Sequence, residues 1–276
     1  MLKTALVAGG TSGVGLSIVR ELVKNNYNVF FIGSNQQKGK LIEAELRSIS
    51  KSDIHFIQLD LSKVKDVTEF ANTFIEQNAQ LDLLLNVAGV VLPLRQETSE
   101  GIEKTFATGY LSAFILSNTL SSLLEKTKGS RILNVSGDPA LIFKLKLNFD
   151  DLNFTKNYNG FKAAIATIHA KTVLTAMLSE KLLNKNIDVN SFHPGFVKSD
   201  LTRHLPFLMR ILVGFISPFM PLKSKNGIYV SMADSLTGIS GKLFVNKKPI
   251  PLNFDTDYKS KLWQETEKII AKALTK

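Results

Sequence analysis

The sequence predicts one domain built on a doubly wound parallel β-sheet with helices on both faces, and two observations support this. Short, continuously apolar runs alternate with longer helical patterns along the whole chain. Strands that are apolar over their full length are typical of a parallel sheet that is covered on both sides. The 276-residue chain also has no internal repeat and no low-complexity linker, which favours a single domain over residues 1–276.

The first half of the chain alternates strand and helix three times. The predicted strands are the short apolar run TALVAG (4–9), the run YNVFFIG (27–33) and the alternating run IHFIQLD (54–60). The predicted helices are the segment from Gly13 to Asn25, a charged amphipathic segment near 36–50 and the segment 63–78. An apolar run bounded by turn residues indicates a strand, and apolar residues at helical spacing indicate a helix.

The second half continues the alternation with longer helices. The predicted strands are LDLLLNVAG (81–89), SRILNVSG (130–137), IDVNSFHPG (187–195) and GKLFVN (241–246). The predicted helices lie at about 101–126 and about 160–184. In a doubly wound sheet the ligand crevice lies at the carboxyl ends of the strands, so the residues that follow these strands are the candidates for a binding site.

The stretch VAGGTSGVG follows the first strand and opens the first helix. Gly9, Gly13 and Gly15 allow a tight turn and let the backbone approach a pyrophosphate, which the free N–H groups of a helix N-terminus attract. A strand before the glycines and a helix after them are the context that this motif requires. The sequence therefore predicts a dinucleotide-binding domain of the Rossmann type.

Several motifs together resemble those of the short-chain dehydrogenase/reductase family over nearly the whole chain. The glycine stretch is similar to the family's Thr-Gly-x-x-x-Gly-x-Gly, with Ala8 in place of the threonine, and NVAG at 86–89 is similar to its Asn-Asn-Ala-Gly. The stretch HPGFVKSD (193–200) is similar to the family's Pro-Gly segment, and GIEKTFATGYLSAFIL and KLWQETEKI are similar to the retinol-dehydrogenase-like subgroup.

The resemblance implies a set of cofactor contacts at the carboxyl ends of the strands. Asp60 stands where the family contacts the adenine, and Ser199 stands where a threonine usually holds the carboxamide. The full set of implied cofactor-binding residues is Gly9, Thr11, Ser12, Gly13, Val14, Gly15, Ser34, Asn35, Asp60, Leu61, Asn86, Ala88, Gly89, Pro194, Gly195, Val197 and Ser199.

The end of the second strand bears on which nicotinamide cofactor is bound. An acidic residue there would bind the ribose 2′-hydroxyl and repel a 2′-phosphate. About nineteen residues after the last glycine of the motif the chain has Ser34 and Asn35, followed by Lys38 and Lys40 and no acid. We therefore expect NADP(H) rather than NAD(H). NAD(H) remains the alternative, because these residues can also be ordinary loop residues.

The resemblance also implies where an asparagine, a serine, a tyrosine and a lysine should carry proton transfer and oxyanion stabilisation. About twenty residues after the NVAG glycine stands Gly109, and the second residue of the family's serine pair is Gly137. The lysine position, about 26 residues before Pro194, is Ile168, and the tyrosine position is Ala164. We therefore expect the usual catalytic set to be absent.

Alternatives to this alignment stay open. Tyr158 precedes Lys162 by four residues, as Thr167 precedes Lys171, but a three-residue slip would rotate the helix face by about 300°. Ser136 is one residue off the serine position, and strand alternation should turn it away from the site. The residues that could supply a non-standard acid are Tyr110, Asp138, Tyr158 and His169, besides the substrate itself.

Composition excludes several other classes of site. The chain has no cysteine and four scattered histidines, so we expect no metal site. Its net charge of +10 comes from lysines and arginines that are dispersed along the chain, which does not favour nucleic-acid binding. The N-terminal run MLKTALVAGG lacks the pattern of a secretory signal, so we expect a cytoplasmic protein.

Three functions are compatible with these observations. The first is a catalytically degenerate family member that binds a nucleotide and a small apolar ligand or carbonyl compound. The second is an active NADP-dependent oxidoreductase that acts on a lipophilic alcohol or carbonyl with a non-standard acid. The third is a structural partner, as a homodimer or as a heteromer with a related protein, through the helices near 101–126 and 160–184.

The segment at about 199–225 is expected to be a substrate loop or lid, and its apolar part, 205–222, is a candidate for peripheral membrane contact.

Overall fold

The computed structural model describes residues 2–195, 197 and 221–276. Its strands form one eight-stranded sheet in the order β3-β2-β1-β4-β5-β6-β7-β8. The strands are β1 (Thr4–Ala8), β2 (Asn28–Gly33), β3 (Ile54–Gln58), β4 (Leu83–Asn86), β5 (Ser130–Val135), β6 (Ile187–Phe192), β7 (Lys242–Val245) and β8 (Lys248–Pro251). Neighbouring strands from β3 to β7 all pair in parallel, so the predicted doubly wound α/β sheet is confirmed.

Helices connect these strands at the five predicted places, and three further helices among the described residues, at 139–142, 225–232 and 256–274, were not predicted. The α-helices are α1 (Gly13–Lys24), α2 (Gln36–Arg47), α3 (Val64–Gln77), α4 (Lys104–Phe106), α5 (Ser112–Thr119), α6 (Ser121–Leu124), α7 (Pro139–Ile142), α8 (Gly160–Lys181), α9 (Lys225–Met232) and α10 (Thr256–Leu274). A π-helical turn, Ala107–Leu111, joins α4 to α5. The single long helix expected at about 101–126 is therefore an irregular run of α4, the π-helical turn, α5 and α6.

The helices cover both faces of the sheet and enclose the two larger hydrophobic clusters of the described residues, one on each face. On one face, α1, α2 and α9 surround a core that includes Ile18, Ile42 and Val230. On the other face, α3, α5, α8 and α10 surround a larger core that includes Leu262. The strands between these layers are buried, as β1 is at every position, which explains why their sequences are continuously apolar.

The sheet ends in an antiparallel hairpin, which the sequence prediction of a parallel sheet did not include. β7 and β8 pair antiparallel, and the two residues between them, Asn246 and Lys247, have φ angles of 49° and 66°. Positive φ at both central residues is typical of a type I′ turn, whose usual signal is Asn-Gly. The hairpin is hard to predict from the sequence because Lys247 stands where glycine is usual, and because β8 is an edge strand that contains Pro249 and Pro251.

The strand order reverses between β1 and β4. The chain proceeds from β1 to β2 and β3 on one side of the sheet, and returns to place β4 on the other side of β1. In doubly wound folds the crevice outside the carboxyl ends of the strands at this reversal is the ligand site. The topology therefore places the glycine-rich stretch 9–15 beside the segment that follows β4.

The C-terminal helix α10 packs against α3 and α8 and reaches the π-helical turn and α5. The hydroxyl of Tyr110 in that turn shares a 2.8 Å hydrogen bond with the hydroxyl of Thr266. The ring of Phe114 in α5 lies 4.7 Å from the ring of Trp263, centroid to centroid. The chain itself therefore covers part of the face through which we expect a dimer to form.

Part of the predicted lid lies outside the described residues. These undescribed positions are 196 and 198–220, which include Ser199 and most of the apolar stretch 205–222. Within the described ranges, no helix combines the length and the apolar character needed to cross a bilayer.

Replacing Thr266 by valine should destabilise the protein through Tyr110. The phenol is completely buried, and without its threonine partner the hydroxyl is left unpaired, at a cost of about 1–3 kcal/mol. Chemical denaturation should detect this loss, and adding Tyr110→Phe should recover much of it. Thr275→Val, at an exposed threonine just after the same helix, is the control. Equal losses in both single variants would contradict this account.

Candidate nucleotide site

The glycine-rich turn between β1 and α1 has no room for side chains at two positions. Gly9 has a φ of +92°, and a Cβ there would lie 2.7 Å from the backbone nitrogen of Ala88. A Cβ on Gly15 would lie 2.0 Å from the carbonyl oxygen of Gly9. Helix α1 begins at Gly13, and its N-cap Ser12 makes no side-chain capping bond. A helix N-terminus without a side-chain cap is suited to bind a pyrophosphate.

The segment after β4 forms the other side of the crevice. The side-chain amide of Asn86, at the end of β4, donates hydrogen bonds to Ser117 Oγ and Asn134 Oδ1, each at 2.9 Å. Ala88 lies against the glycine-rich turn. A Cβ on Gly89 would meet no atom of the described residues within 4 Å, so this glycine borders open space.

The loop after β2 contains no acidic residue before α2, as the sequence predicts. Ser34 is exposed, and the Oδ1 of Asn35 accepts a 2.8 Å hydrogen bond from the backbone N–H of Lys38, which caps α2. The ammonium of Lys40 pairs with Glu43 at 2.8 Å. The loop therefore presents polar groups and a helix N-terminus where a carboxylate would exclude a 2′-phosphate.

The other predicted contacts on this side lie close to β2 and β3. Thr11 packs against β2, since a Cβ on Gly33 would lie 2.5 Å from its methyl carbon. Asp60, after β3, accepts hydrogen bonds from the backbone N–H and the hydroxyl of Ser62 at 3.0 and 2.7 Å. The predicted residues that pack with the two cores are Val14 and Leu61.

The Pro-Gly segment follows β6 at the same edge of the sheet. The carbonyl of Pro194 accepts a 2.9 Å hydrogen bond from the Ser224 hydroxyl. Gly195 is exposed and has a φ of +77°, in the region that favours glycine. Val197 is buried, and Ser199 lies outside the described residues. The glycine-rich turn, residues 86–89 and the Pro-Gly segment thus share the carboxyl edge of the sheet.

Two of the positions expected to be polar in an active family member lie close to each other and have apolar surroundings. A Cβ on Gly137 would lie 3.2 Å from Ile142 Cδ1 and 3.5 Å from Ile168 Cγ2. Ala164, one turn before Ile168 on α8, is 8% exposed. The Cβ of any side chain at position 137 would therefore contact Ile142 and Ile168.

A third such position, Gly109, lies in the π-helical turn. A Cβ there would lie 2.5 Å from Thr167 Cγ2, so the threonine methyl occupies the space that a side chain would need. Ser136, expected to turn away from this side, instead faces α8, where its hydroxyl shares a 2.6 Å hydrogen bond with Thr172. Ser136 directly follows β5 and is two residues after Asn134, which bonds to α8 as well. The alternation of side chains along the strand thus continues to Ser136 and points it at the helix.

The alternative pair of Tyr158 and Lys162 is not assembled as an acid–base pair. The Tyr158 hydroxyl bonds to the carbonyl of Leu92 at 3.1 Å and to the carboxylate of Glu103 at 3.2 Å. Burial, together with that carboxylate, raises the pKa of Tyr158 to about 12. Lys162 is exposed at the start of α8.

The other candidate acids make structural hydrogen bonds. Tyr110 is bonded to α10, and burial raises the pKa of its phenol. The carboxylate of Asp138 caps α7. The imidazole of His169 bonds to the carbonyl of Ile142 and to the hydroxyl of Tyr258, each at 2.8 Å, and burial lowers its pKa.

Lys171 is a buried lysine of α8 that the sequence analysis considered only as a catalytic lysine in a shifted register. Its side-chain nitrogen lies 3.4 Å from the carbonyl oxygen of Asn86 and 3.2 Å from that of Ala88, and the residue is 1% exposed. Burial lowers the pKa of Lys171 from 10.5 to about 7. One sequence signal was available: Thr167, Lys171 and Leu174 share a helix face, which places the lysine in a buried stripe.

Comparison with known proteins identifies the scaffold. The family model described as short chain dehydrogenase matches residues 3–206, which include the glycine-rich turn and residues 86–89. The chain belongs to the short chain dehydrogenase family. Its scaffold is accordingly that of an NAD(P)-binding oxidoreductase.

Individual relatives extend the match to almost the whole chain. The chain is 30% identical to retinol dehydrogenase 13 of Mus musculus, over 99% of this chain and 85% of that protein. It is 32% identical to the short-chain dehydrogenase TIC 32 B, chloroplastic, of Brassica napus, over 97% of this chain and 88% of that protein. The predicted retinol-dehydrogenase-like membership is confirmed.

Solved structures share the fold at lower identity. An uncharacterized protein from Mycobacterium paratuberculosis matches with a TM-score of 0.75 and 20% identity, over 98% of this chain and 93% of that chain. The Pseudomonas aeruginosa RhlG/NADP active-site complex matches with a TM-score of 0.67 and 22% identity, over 91% of this chain and 94% of that chain.

The buried amine of Lys171 should make folding stability rise with pH. Because the folded-state pKa is about 7 and the ordinary value is 10.5, the unfolded chain binds more protons between these values, and the free energy of unfolding increases by up to about 1.4 kcal/mol per pH unit. Denaturation of the wild type and of Lys171→Met between pH 7 and 9 should show this increase in the wild type alone. Parallel pH profiles would contradict it.

Proposed function

We propose that this protein binds NADP(H) on a short-chain dehydrogenase scaffold but lacks the usual proton-transfer set, and that it acts in binding a small apolar ligand or a protein partner. The observation that carries this proposal is the apolar surroundings of Gly137, with Ile142 and Ile168 at 3.2 and 3.5 Å from its Cβ position. The same chain has a glycine-rich turn whose geometry is suited to a nucleotide.

The crevice at the β1/β4 reversal fits a dinucleotide. The turn excludes side chains at Gly9 and Gly15, α1 begins without a side-chain cap, and Gly89 borders open space. The fold match to RhlG in its NADP complex supports the same class of ligand here. The glycine-rich turn would hold the pyrophosphate, and residues 86–89 with the Pro-Gly segment would line the rest of the crevice. When bound, such a cofactor supplies a hydride donor or acceptor.

The preference for NADP(H) rests on the loop after β2. Ser34, Asn35 and the N-terminus of α2 can donate hydrogen bonds to a 2′-phosphate, and no carboxylate stands in this loop to repel it. The net charge of +10 favours the more negatively charged of the two cofactors as well. NAD(H) binding is the alternative outcome of the titration below.

The missing proton-transfer groups argue against the ordinary reaction. A carbonyl that accepts a hydride also needs a proton, and positioned acid–base groups contribute about 10²–10⁴-fold in rate. Glycine, alanine and isoleucine at Gly109, Gly137, Ala164 and Ile168 supply no such proton. The candidate replacement acids are engaged in structural hydrogen bonds. An active NADP-dependent oxidoreductase with a non-standard acid is therefore the second candidate, which the turnover test below decides.

An apolar ligand is favoured by the side chains around the crevice. Loops at the carboxyl ends of β4 and β5 and the start of α8 expose Leu94, Leu141, Phe143 and Phe161, with exposed fractions between 39% and 75%. Exposed apolar side chains on segments that follow the carboxyl ends of the strands are candidates for a binding surface. A protein partner, a membrane surface contacted through 205–222 and a cytoplasmic location are further proposals. A homodimer or heteromer would need helix surface that α10 leaves free.

Titration of NADPH and NADH by calorimetry tests the nucleotide site. We expect NADPH to bind at least about tenfold more tightly than NADH, because only NADPH carries the extra phosphate. Gly89→Val should weaken binding at least about tenfold and leave the melting temperature unchanged, because a Cβ there meets no described atom within 4 Å. No binding at millimolar cofactor would overturn the proposal. NADPH oxidation with lipophilic aldehydes would establish the second candidate.

Restoring the polar set should create activity if its absence is what blocks the reaction. The variant combines Gly109→Asn, Gly137→Ser, Ala164→Tyr and Ile168→Lys with Thr167→Ser, which removes the methyl that lies 2.5 Å from the Cβ position of Gly109. We expect NADPH-dependent reduction of decanal to rise at least about 100-fold. The control carries Ala164→Phe instead of Ala164→Tyr and should stay inactive. Comparable turnover by the wild type would refute the prediction.

A further inference from the structure

A cavity of about 480 Å³ lies between the end of α8 and the first turns of α10. The residues that α8 contributes to its wall are Met177, Glu180 and Lys181. At a rise of about 1.5 Å per residue, Lys181 lies about 20 Å along α8 from Ile168, so the cavity is remote from the nucleotide edge. Small-molecule sites have volumes of about 300–1,000 Å³. The cavity is therefore large enough to hold a ligand of its own.

The apolar part of the cavity wall is formed by Met177 and by Trp263, the only tryptophan of the sequence. Two contacts outside the wall fix the indole in place. Its ring packs against Phe114 at 4.7 Å between centroids, and its N–H donates a 2.7 Å hydrogen bond to the carboxylate of Glu267. Because the indole is already held, an apolar group can pack on it without the entropic cost of ordering a mobile side chain.

One positive charge of the cavity wall has no acidic partner. The wall contains two lysines and one carboxylate. The ammonium of Lys259, a residue that is 8% exposed, forms an ion pair with Glu180. The ammonium of Lys181 lies 4.1 Å from the ring centroid of Trp263 and 3.4 Å from the amide oxygen of Asn118, and it forms no salt bridge within the described part of the chain. The unbalanced charge is therefore at Lys181, next to the apolar surface.

We propose that this cavity is a second binding site, which takes an amphiphilic monocarboxylate with a medium-length alkyl chain. The chain packs on Met177 and Trp263, and the carboxylate accepts charge-assisted hydrogen bonds from Lys181. The wall disfavours other charge types, because Glu180 repels a second negative charge and Lys181 repels a cation. The site does not depend on the proposed nucleotide binding, since its wall residues lie outside the carboxyl edge of the sheet.

The fluorescence of Trp263 reports directly on the cavity, because no other tryptophan contributes to the emission. The probe is sodium octanoate below its micellar range, compared with octan-1-ol, which has the same chain without the charge. We expect octanoate to cause a saturable change in emission, with a Kd at least about threefold lower than that of octan-1-ol. Calorimetry gives the same Kd values independently of the fluorophore.

Three variants locate the ligand in the cavity. Lys181→Met should raise the octanoate Kd at least about threefold and leave the octan-1-ol Kd unchanged, because only the carboxylate uses the ammonium. The matched control, Lys185→Met, removes the same charge in the turn after α8, outside the cavity wall, where Lys185 pairs with Glu125 at 3.1 Å; it should keep the wild-type Kd. Ser260→Phe, at an exposed position of the wall, should abolish the emission change by filling the cavity.

The outcomes that would overturn this inference are distinct from those that bear on the nucleotide site. They are the absence of a saturable emission change in the wild type, an octan-1-ol Kd equal to that of octanoate, and an octanoate Kd that is the same in Lys181→Met as in the wild type. Gly89→Val, at the nucleotide edge, should leave the octanoate Kd unchanged. Weaker octanoate binding in that variant would assign the ligand to the crevice and also overturn the inference.

Discussion

The close approach of Gly9 to Ala88 is the constraint on which the binding edge of this protein depends. Strand β1 pairs in parallel with β2 on one side and β4 on the other, so the turn after β1 must pass the segment after β4 at backbone-to-backbone distance. No Cβ fits at Gly9, where it would lie 2.7 Å from a backbone nitrogen, or at Gly15, where it would lie 2.0 Å from a carbonyl oxygen. Backbone atoms cannot rotate aside as side chains do. The glycine-rich turn and the segment after β4 are therefore expected to keep a fixed relative position.

Beneath this contact, a buried polar network ties four elements together. The side chain of Asn86 on β4 bonds to Ser117 on α5 and Asn134 on β5, and Asn134 bonds in turn to Thr175 on α8 at 3.0 Å. Buried polar groups are costly when unpaired and rigid when paired, so this network fixes the end of β4 relative to α8. Lys171, one turn before Thr175, reaches the carbonyls of the same strand end. The position of residues 86–89 is thus determined by their contacts with α8 and by their contacts with the glycine-rich turn.

The sequence predicted the architecture well because the parallel strands are buried on both faces and their apolar runs are unmistakable. It missed the hairpin of β7 and β8, since Lys247 occupies a turn position where glycine is the usual signal. It predicted the candidate nucleotide edge from the glycines, because the tight backbone geometry of such a turn requires glycine at fixed positions. It did not reveal the burial of Lys171, because a lysine on a helix is normally solvated and only tertiary packing shows that its amine reaches the carbonyl of Ala88.

Cofactor binding and proton transfer depend on different parts of this scaffold, so one can persist without the other. In the proposed function, binding uses backbone groups: the glycines of the turn, the start of α1 and the segment 86–89. Proton transfer requires side chains that project from β5 and α8, and at Gly137 and Ile168 these positions make an apolar contact in which no polar group is stranded. Under the proposed function, absence of the whole polar set avoids the penalty that absence of one member would incur. An asparagine at position 109 would in addition require repacking of α8, because the methyl group of Thr167 lies in the space beside Gly109.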